Sequence, residues 1–405
     1  MSLTMRIFLA LLAGLAVGAL LPADIGKPLL PAAEAIGNLW LQALQMTIIP
    51  LIAGLLFTGI ASSVGQAGGG KVAGRALIAF FCLLVFSAGW SMLFVPLLLD
   101  VWPAPPAAAA AIVASSAGTA AGNIDVDIGK WLLSLVPANI FDSLAKGEML
   151  PVVTFVSLFA LAASRLDDDR RRGLVALFDA VKDAMLVLVG WIFVVAPLGV
   201  FALAASVGIK AGLGAFGLLG HYIAVLVSVQ VGLIILIYPL AVILGRVSPL
   251  AFAKAALPAQ TVAVSTQSSI ASLPAIVDGC AKLGLPEPVS RVVLPLAVSI
   301  FRITSPCANI AVVLYCGHLY GMEHSALAYL GALLAALVAA VSTGGLPGSI
   351  TFLAACVPIA NAMGVPIAVL PVLLAVELVP DVFRTLGNVT ADLAVTAILS
   401  RDRSR

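Results

Sequence analysis

The sequence predicts an all-α polytopic membrane protein, and three observations carry that expectation. Of its 405 residues 62% are hydrophobic and 10% charged, and the mean hydropathy is +1.17. A soluble domain needs far more charge to cover its surface. Apolar runs long enough to cross a bilayer recur along the chain, and the pattern lacks the short alternating strands of a membrane β-barrel. The net charge of +2 comes without a basic run suited to nucleic acid, so no nucleic-acid partner is expected and the lipid bilayer is.

The N-terminal stretch MSLTMRIFLALLAGLAVGALLP shows no clear small-x-small cleavage site. It therefore reads as a retained first span, about 3–21, stopped by Pro22. A second span, about 39–63, contains Pro50, and a glycine-rich turn, GQAGGGKVAGR, leads into a third at about 76–99. Residues 101–129 are rich in Pro, Ala, Gly and Ser and read as a long connection. The fourth span is interrupted, with Pro137 and Pro151 around a polar centre. SRLDDDRRRGLVALFDAVKDA, the most charged run, reads as a solvated cytoplasmic loop and helix start. The fifth and sixth spans cover about 185–207 and 217–244.

Lys and Arg concentrate in alternate short loops, at Lys71, Arg75, Arg165, Arg170, Arg171, Arg172 and Lys182 and in the tail at Arg401, Arg403 and Arg405. The opposite loops carry Lys27, Lys130 and Lys210, which predicts that both termini are cytoplasmic. Five scattered cysteines without a C-x-x-C pair indicate neither a disulfide framework nor a zinc site.

Beyond residue 250 the pattern changes. ALPAQTVAVSTQSSIASLPAIV and ALVAAVSTGGLPGSITFLAACV are apolar at both flanks and break in the middle with small polar residues and Leu-Pro. Such segments read as re-entrant hairpins whose tips line a cavity, the alternative being kinked spanning helices. Two of them, each followed by a full helix, suggest inverted repeats with a binding site between the tips.

The last apolar run, 365–399, carries ELVPDVFRTLGNVTAD. At helical periodicity Glu377, Asp381, Arg384, Thr385, Asn388 and Asp392 share about 100° of arc. Ionisable groups at membrane depth cost roughly 2.5 kcal/mol or more each, so they face a protein interior or a wet cavity. They could simply pair with one another. The stronger reading is a site for a small zwitterion, with Asp381 receiving an ammonium and the planar fork of Arg384 gripping a carboxylate. An intramembrane enzyme is the rival from another class. Asp381 and Asp392, roughly 16 Å apart by helix rise, are too distant to share a proton. His318, Glu323 and His324 fall in a predicted loop. Neither set makes a catalytic site, and no cofactor is expected.

These residues carry a resemblance over the whole chain. VSTQSSIASLP and STGGLPGS are similar to the two hairpin tips, and DVFRTLGNVTADLAVTAI to the last helix, of the dicarboxylate/amino-acid:cation symporter family, which includes glutamate and aspartate transporters. MTIIPLIAGLLFTGIASS and PANIF with KGEMLP support it. The resemblance implies eight transmembrane helices, two re-entrant hairpins and an elevator-type fold, assembled as a homotrimer in the plasma membrane. A scaffold would comprise 1–75 and 102–207, and a transport domain 76–101 and 208–405. It implies that Asp381 binds the α-ammonium, Arg384 the side-chain carboxylate and Asn388 the α-carboxylate of an acidic amino acid. Thr385, Ser268, Ser269, Ser305 and the backbone around Leu346 and Gly348 would complete the site. Anion leakage, which family members can show, would be a secondary activity.

The chain also departs from the family. Sodium-coupled members carry Asn-Met-Asp-Gly-Thr in the unwound centre of the seventh helix, where this chain has Phe301-Arg302-Ile303-Thr304-Ser305. Leu84 and Val85 stand where the third helix contributes Thr-Ser to the same sodium site. Hard cations need oxygen ligands, so sodium coupling is doubtful, although Asp392 remains as a possible residual cation site. Arg302 is expected to act as a tethered cation replacing the sodium charge, the bland alternative being that it snorkels to water. Loss of sodium leaves proton symport, exchange or uniport. Among Glu377, Asp381 and Asp392, Glu377 is the carboxylate least committed to substrate or cation and hence the expected proton carrier. Pro380 is expected to kink the last helix beside Asp381.

Overall fold

Helices account for the regular structure throughout. The computed structural model describes residues 3–66, 70–107, 109–110, 136–146, 149–212, 214–342 and 348–401, and no strand occurs among them. Most of the predicted connection at 101–129 and the second hairpin tip at 343–347 lie outside the described residues.

α1 (Leu3–Leu20) ends before Pro22, as expected. α2 (Ala23–Gln66) is longer than the predicted 39–63 and runs through Pro28, Pro31 and Pro50. Each proline removes one backbone hydrogen bond; packing on the helices Met149–Ala163, Asp168–Val194 and Ala196–Ala211 holds the rod together regardless. α3 (Gly70–Val101) takes in the end of the glycine-rich turn. The interrupted fourth span is two pieces, α4 (Ile140–Lys146) and α5 (Met149–Ala163).

α6 (Asp168–Val194) starts with exposed i,i+3 pairs, Arg171 to Asp168 and Arg172 to Asp169, a solvated helix start as the charge run predicted. The fifth span at 185–207 needs correction. It is the end of α6 followed by α7 (Ala196–Ala211), bent by 57°. Pro197 sits in the first turn of α7, where its ring ends the preceding helix and its missing N–H costs nothing. α8 (Gly214–Gly245) matches the sixth span.

Both broken segments fold back on themselves. α9 (Pro249–Thr266) and α10 (Ser269–Lys282) pack together across a turn at Gln267, whose φ of 51° is left-handed. A β-carbon at Gly279 would lie 2.7 Å from the Ala255 carbonyl oxygen, so glycine permits the arms to approach this closely. α11 (Glu287–Ile300) and α12 (Thr304–Leu319) are separated by a non-helical break at 301–303. α13 (Ala326–Ser342) packs on α14 (Gly348–Met363).

The run 365–399 is not one helix. A 3₁₀ turn (Ile367–Val369), α15 (Leu370–Leu374) and a turn at 375–377 precede α16 (Leu378–Ser400). Pro380 lies in the first turn of α16, directly after the turn at 375–377 that interrupts the helical run.

Two packing groups emerge. α1, α2, α5, α6 and α7 pack on one another, and α3 with α8 to α12 surrounds α16. α13 and α14 touch members of both groups. Among the described residues Gly74–Val101, Phe216–Gly245 and Leu378–Ser400 are long and apolar enough to cross a bilayer, and the bent α6–α7 pair makes a fourth only if its two helices count as one span. In the first two of these, 33% and 39% of the spanning window is buried in protein; in α16 it is 78%. α16 is therefore the axis against which its neighbours pack.

Candidate functional site

The polar face of α16 is enclosed. Glu377, at its N-terminal cap, and Asp381, Arg384, Thr385, Asn388 and Asp392 are all buried. α16 packs along α8, so an aromatic residue of that apolar helix reaches the first turn: Tyr222 donates its hydroxyl to Glu377 Oε2 at 3.1 Å. Glu377 Oε1 is ion-paired with Arg384 Nη2. Asp381 Oδ1 lies 3.9 Å from Arg384 Nε, too far for a hydrogen bond, and both atoms are buried without one. Both Glu377 oxygens are thus engaged by side chains of the chain itself. Asp392 is the reverse, for neither of its buried oxygens has a hydrogen-bond partner.

The break between α11 and α12 sits against the middle of α16. Thr304, the first residue of α12, places its backbone N–H 3.1 Å from Asn388 Oδ1. Its hydroxyl lies 2.7 Å from Asn388 Oδ1 and 2.8 Å from the Arg384 carbonyl, two acceptors for one proton. These bonds occupy the acceptor end of the Asn388 amide and leave the Nδ2 donor without a partner. Gly387 allows the contact, since a β-carbon there would run into the Thr304 methyl. Thr385 bonds the Asp381 carbonyl of its own helix at 3.1 Å. Ser305 is buried at the start of α12, with its N–H on the Arg302 carbonyl at 2.9 Å.

Arg302 lies inside the break, 9% exposed, in electrostatic reach of Asp381, Arg384 and Asp392. It does not snorkel to the surface. Beside it the Phe301 ring stacks on Phe80 of α3, centroids 4.6 Å apart at 12°. Leu84 and Ile303 are buried, and the Ile303 carbonyl accepts from Ser87 Oγ. Aromatic and aliphatic side chains thus occupy the positions at which the resemblance expects oxygen donors.

The hairpin residues are reached less directly. Ser268 caps α10, accepting from Ala271 N at 3.2 Å, and Ser269 begins that helix. The hairpin joins α16 through Gln260, whose Nε2 is 2.9 Å from Thr390 Oγ1 and 3.0 Å from the Tyr238 hydroxyl. Gly348 opens α14, and Leu346 lies outside the described residues. The predicted loop holds for His324, whose Nε2 is buried, and not for His318, which belongs to α12 and accepts from Ala104 N at 3.4 Å.

Sequence reasoning missed Tyr222, Thr304 and Gln260. Each is a polar residue among several in its helix, and the only available signal was that a buried polar group must find a partner.

Comparison with known proteins bears on what this site serves. The profile of the sodium:dicarboxylate symporter family matches residues 3–402. The chain is 26% identical over 404 residues to the proton/sodium-glutamate symport protein of Bacillus subtilis (strain 168), spanning 98% of this chain and 92% of the relative. It is 26% identical to the proton/glutamate-aspartate symporter of Escherichia coli (strain K12), over 90% and 84% of the two chains. It is 27% identical to the C4-dicarboxylate transport protein of Anaeromyxobacter sp. (strain K), over 99% and 89%. These proteins are transporters, which removes the intramembrane enzyme as a rival. A match over nearly its whole length, to a family of multi-pass carriers of small acids, makes this chain a member of the sodium:dicarboxylate symporter family.

Proposed function

We propose that this protein carries acidic amino acids, L-aspartate or L-glutamate, across the plasma membrane as a homotrimer working by an elevator mechanism. The observation that carries this reading is the buried set of Asp381, Arg384 and Asn388 on one face of α16. It offers a carboxylate for an ammonium, a guanidinium for a carboxylate and the unpartnered Asn388 Nδ2 as a further donor. In this reading Thr385, Ser305, Ser268, Ser269 and the backbone near Leu346 and Gly348 enclose the substrate. Residues 1–75 and 102–207 form the scaffold, 76–101 and 208–405 move, and both termini face the cytoplasm. The similarity to the Bacillus glutamate symport protein and the Escherichia glutamate-aspartate symporter supports the substrate.

Coupling in this proposal is independent of sodium. Arg302 supplies a permanent positive charge beside Asp381 and Asp392, and the Phe80–Phe301 stack with Leu84 and Ile303 removes oxygen ligands. Charge balance then comes from a proton or from exchange. A second reading, residual sodium coupling, is favoured by one observation: both Asp392 oxygens lack a hydrogen bond.

Calorimetric titration of purified protein with L-aspartate in potassium buffer, with and without sodium, separates the two. Equal affinity in both buffers supports the sodium-independent carrier, and strong sodium dependence selects the Asp392 reading. Absence of aspartate and glutamate binding in both overturns the substrate assignment.

A further inference from the structure

We propose that His221 is the proton-binding group of this carrier: a proton taken up at its Nδ1 balances the negative charge that an acidic substrate brings to Arg384. The inference rests on the carrier proposed above and names the group behind its proton-coupled form.

Three helices meet at this imidazole. α3, α8 and α12 pack on one another, and His221 of α8 lies buried where they converge. Its Nε2 is 3.0 Å from the carbonyl of Trp102, just past the end of α3, and its Nδ1 is 2.9 Å from the Tyr315 hydroxyl of α12. A carbonyl only accepts, so Nε2 carries a hydrogen in either charge state. Nδ1 is then the position that gains or loses a proton, and its partner is a hydroxyl, which both donates and accepts. The Tyr315 hydroxyl has a second acceptor in reach, the Leu218 carbonyl at 3.3 Å.

The network therefore suits two states. With the imidazole neutral, Tyr315 donates to Nδ1. With the imidazole charged, Nδ1 donates to Tyr315, and Tyr315 turns its own proton to Leu218. Every buried polar group keeps a partner in both states, and no heavy atom has to move. The free carbonyls at the C-terminal end of α3 favour the added positive charge. The other ionisable groups around the imidazole are His318 and Cys316 of α12, Asp100 in the last turn of α3 and Tyr222 of its own helix. Lys210 of the neighbouring α7 is paired with Glu34.

The route to the substrate site passes through two rings. Tyr315 packs edge-on to Tyr222, centroids 5.2 Å apart, and Tyr222 donates to Glu377, the ion-pair partner of Arg384. On the opposite side the Trp102 ring lies 4.5 Å from the imidazole and is exposed, so His221 sits one side chain below the protein surface.

The chain has three histidines, so nitrogen NMR of the full-length protein labelled in its imidazoles reads each one, with His318→Gln and His324→Gln assigning the other two. In ligand-free wild type, neutral His221 should be the Nε2–H tautomer and should gain a proton at Nδ1 between about pH 5 and 8. Saturating L-aspartate in sodium-free buffer should raise the pH of half-protonation by about one unit. By linkage, aspartate affinity should rise about tenfold as the pH falls through that range. His221→Gln should bind aspartate with an affinity that no longer follows pH. A resting Nδ1–H tautomer, or a midpoint that aspartate leaves unmoved, overturns the inference on wild type alone. Affinity that still follows pH in His221→Gln overturns it too and moves the proton to Glu377. If neither aspartate nor glutamate binds, the amino-acid reading falls, and the same shift measured with succinate decides for or against His221. Loss of all three ligands overturns both.

Discussion

Glu377 and Arg384 form an ion pair closed off from water, with side chains 1% and 3% exposed, two helical turns apart in sequence. The residue assigned to grip a substrate carboxylate is therefore already held by a carboxylate of the chain itself. Removing one partner of such a pair leaves a buried charge uncompensated and costs about 3–5 kcal/mol. Glu377→Gln should lower the thermal midpoint of the ligand-free protein clearly. Saturating L-aspartate should then raise that midpoint more in the variant than in wild type, because a bound anion supplies the missing counter-charge. Equal ligand-induced shifts in the two proteins would mean that substrate does not approach Arg384.

Tyr222 tests the same arrangement more gently. Its 3.1 Å hydrogen bond is to a charged acceptor, a class worth about 1.5–3 kcal/mol. Tyr222→Phe keeps the ring that packs edge-on against Tyr315 and deletes the donor alone. Stability should fall by less than in Glu377→Gln. The aspartate dissociation constant should change only a few-fold, since Arg384 keeps its ion pair. A loss of affinity as large as that from Arg384→Ala would place Tyr222 in direct contact with substrate.

At Gly387 the expectation is steric. An alanine methyl would run into the Thr304 methyl and lie 3.1 Å from Ile234 Cγ1. Thr304 cannot retreat without giving up its bonds to Asn388 and to the Arg384 carbonyl. Overpacking of this kind costs about 1–3 kcal/mol. Gly387→Ala should also weaken substrate binding, because it moves the residue that orients Asn388. Adding Thr304→Ser removes the methyl and keeps the hydroxyl, so the double variant should recover most of both losses. Failure of that rescue, read by thermal unfolding and aspartate titration, would show that the backbone of α12 and not the methyl sets the spacing.

Much of this was legible before any coordinates. The polar stripe of the last helix, both broken segments and the 217–244 span follow from periodicity and from the cost of burying charge, and the structure reproduces them. The errors fell where tertiary packing decides. Proline inside α2 is tolerated because neighbouring helices hold it, whereas Pro197 coincides with a 57° bend, and composition does not separate the two cases. The commitment of Glu377 was illegible because both its partners are set by geometry: Tyr222 lies 155 positions away, and Arg384 was already assigned to substrate. Family likeness could not foresee that Phe301, a departure from its motif, finds a stacking partner in Phe80.

That departure can be reversed, which gives the sharpest expectation for coupling. Ile303 is 1% exposed at the position where the resemblance implies an aspartate in sodium-coupled members, and its carbonyl accepts from Ser87. A carboxylate placed there would be buried beside the Phe80–Phe301 stack and would require a cation. With Arg302 present that cation is the guanidinium, so Ile303→Asp alone should remain indifferent to sodium. In an Arg302→Met background the tethered charge is gone, and a hard cation with oxygen ligands becomes the available counter-charge. Aspartate affinity of Arg302→Met/Ile303→Asp should then rise about tenfold or more on exchanging potassium for sodium. Replacing Phe301 by asparagine would add an oxygen ligand at the loss of about 0.5–1.5 kcal/mol of stacking, and should steepen the response. If neither the double nor the triple variant responds to sodium while both still bind aspartate, the cation position has been lost through the backbone of the break, and restoring side chains cannot return it.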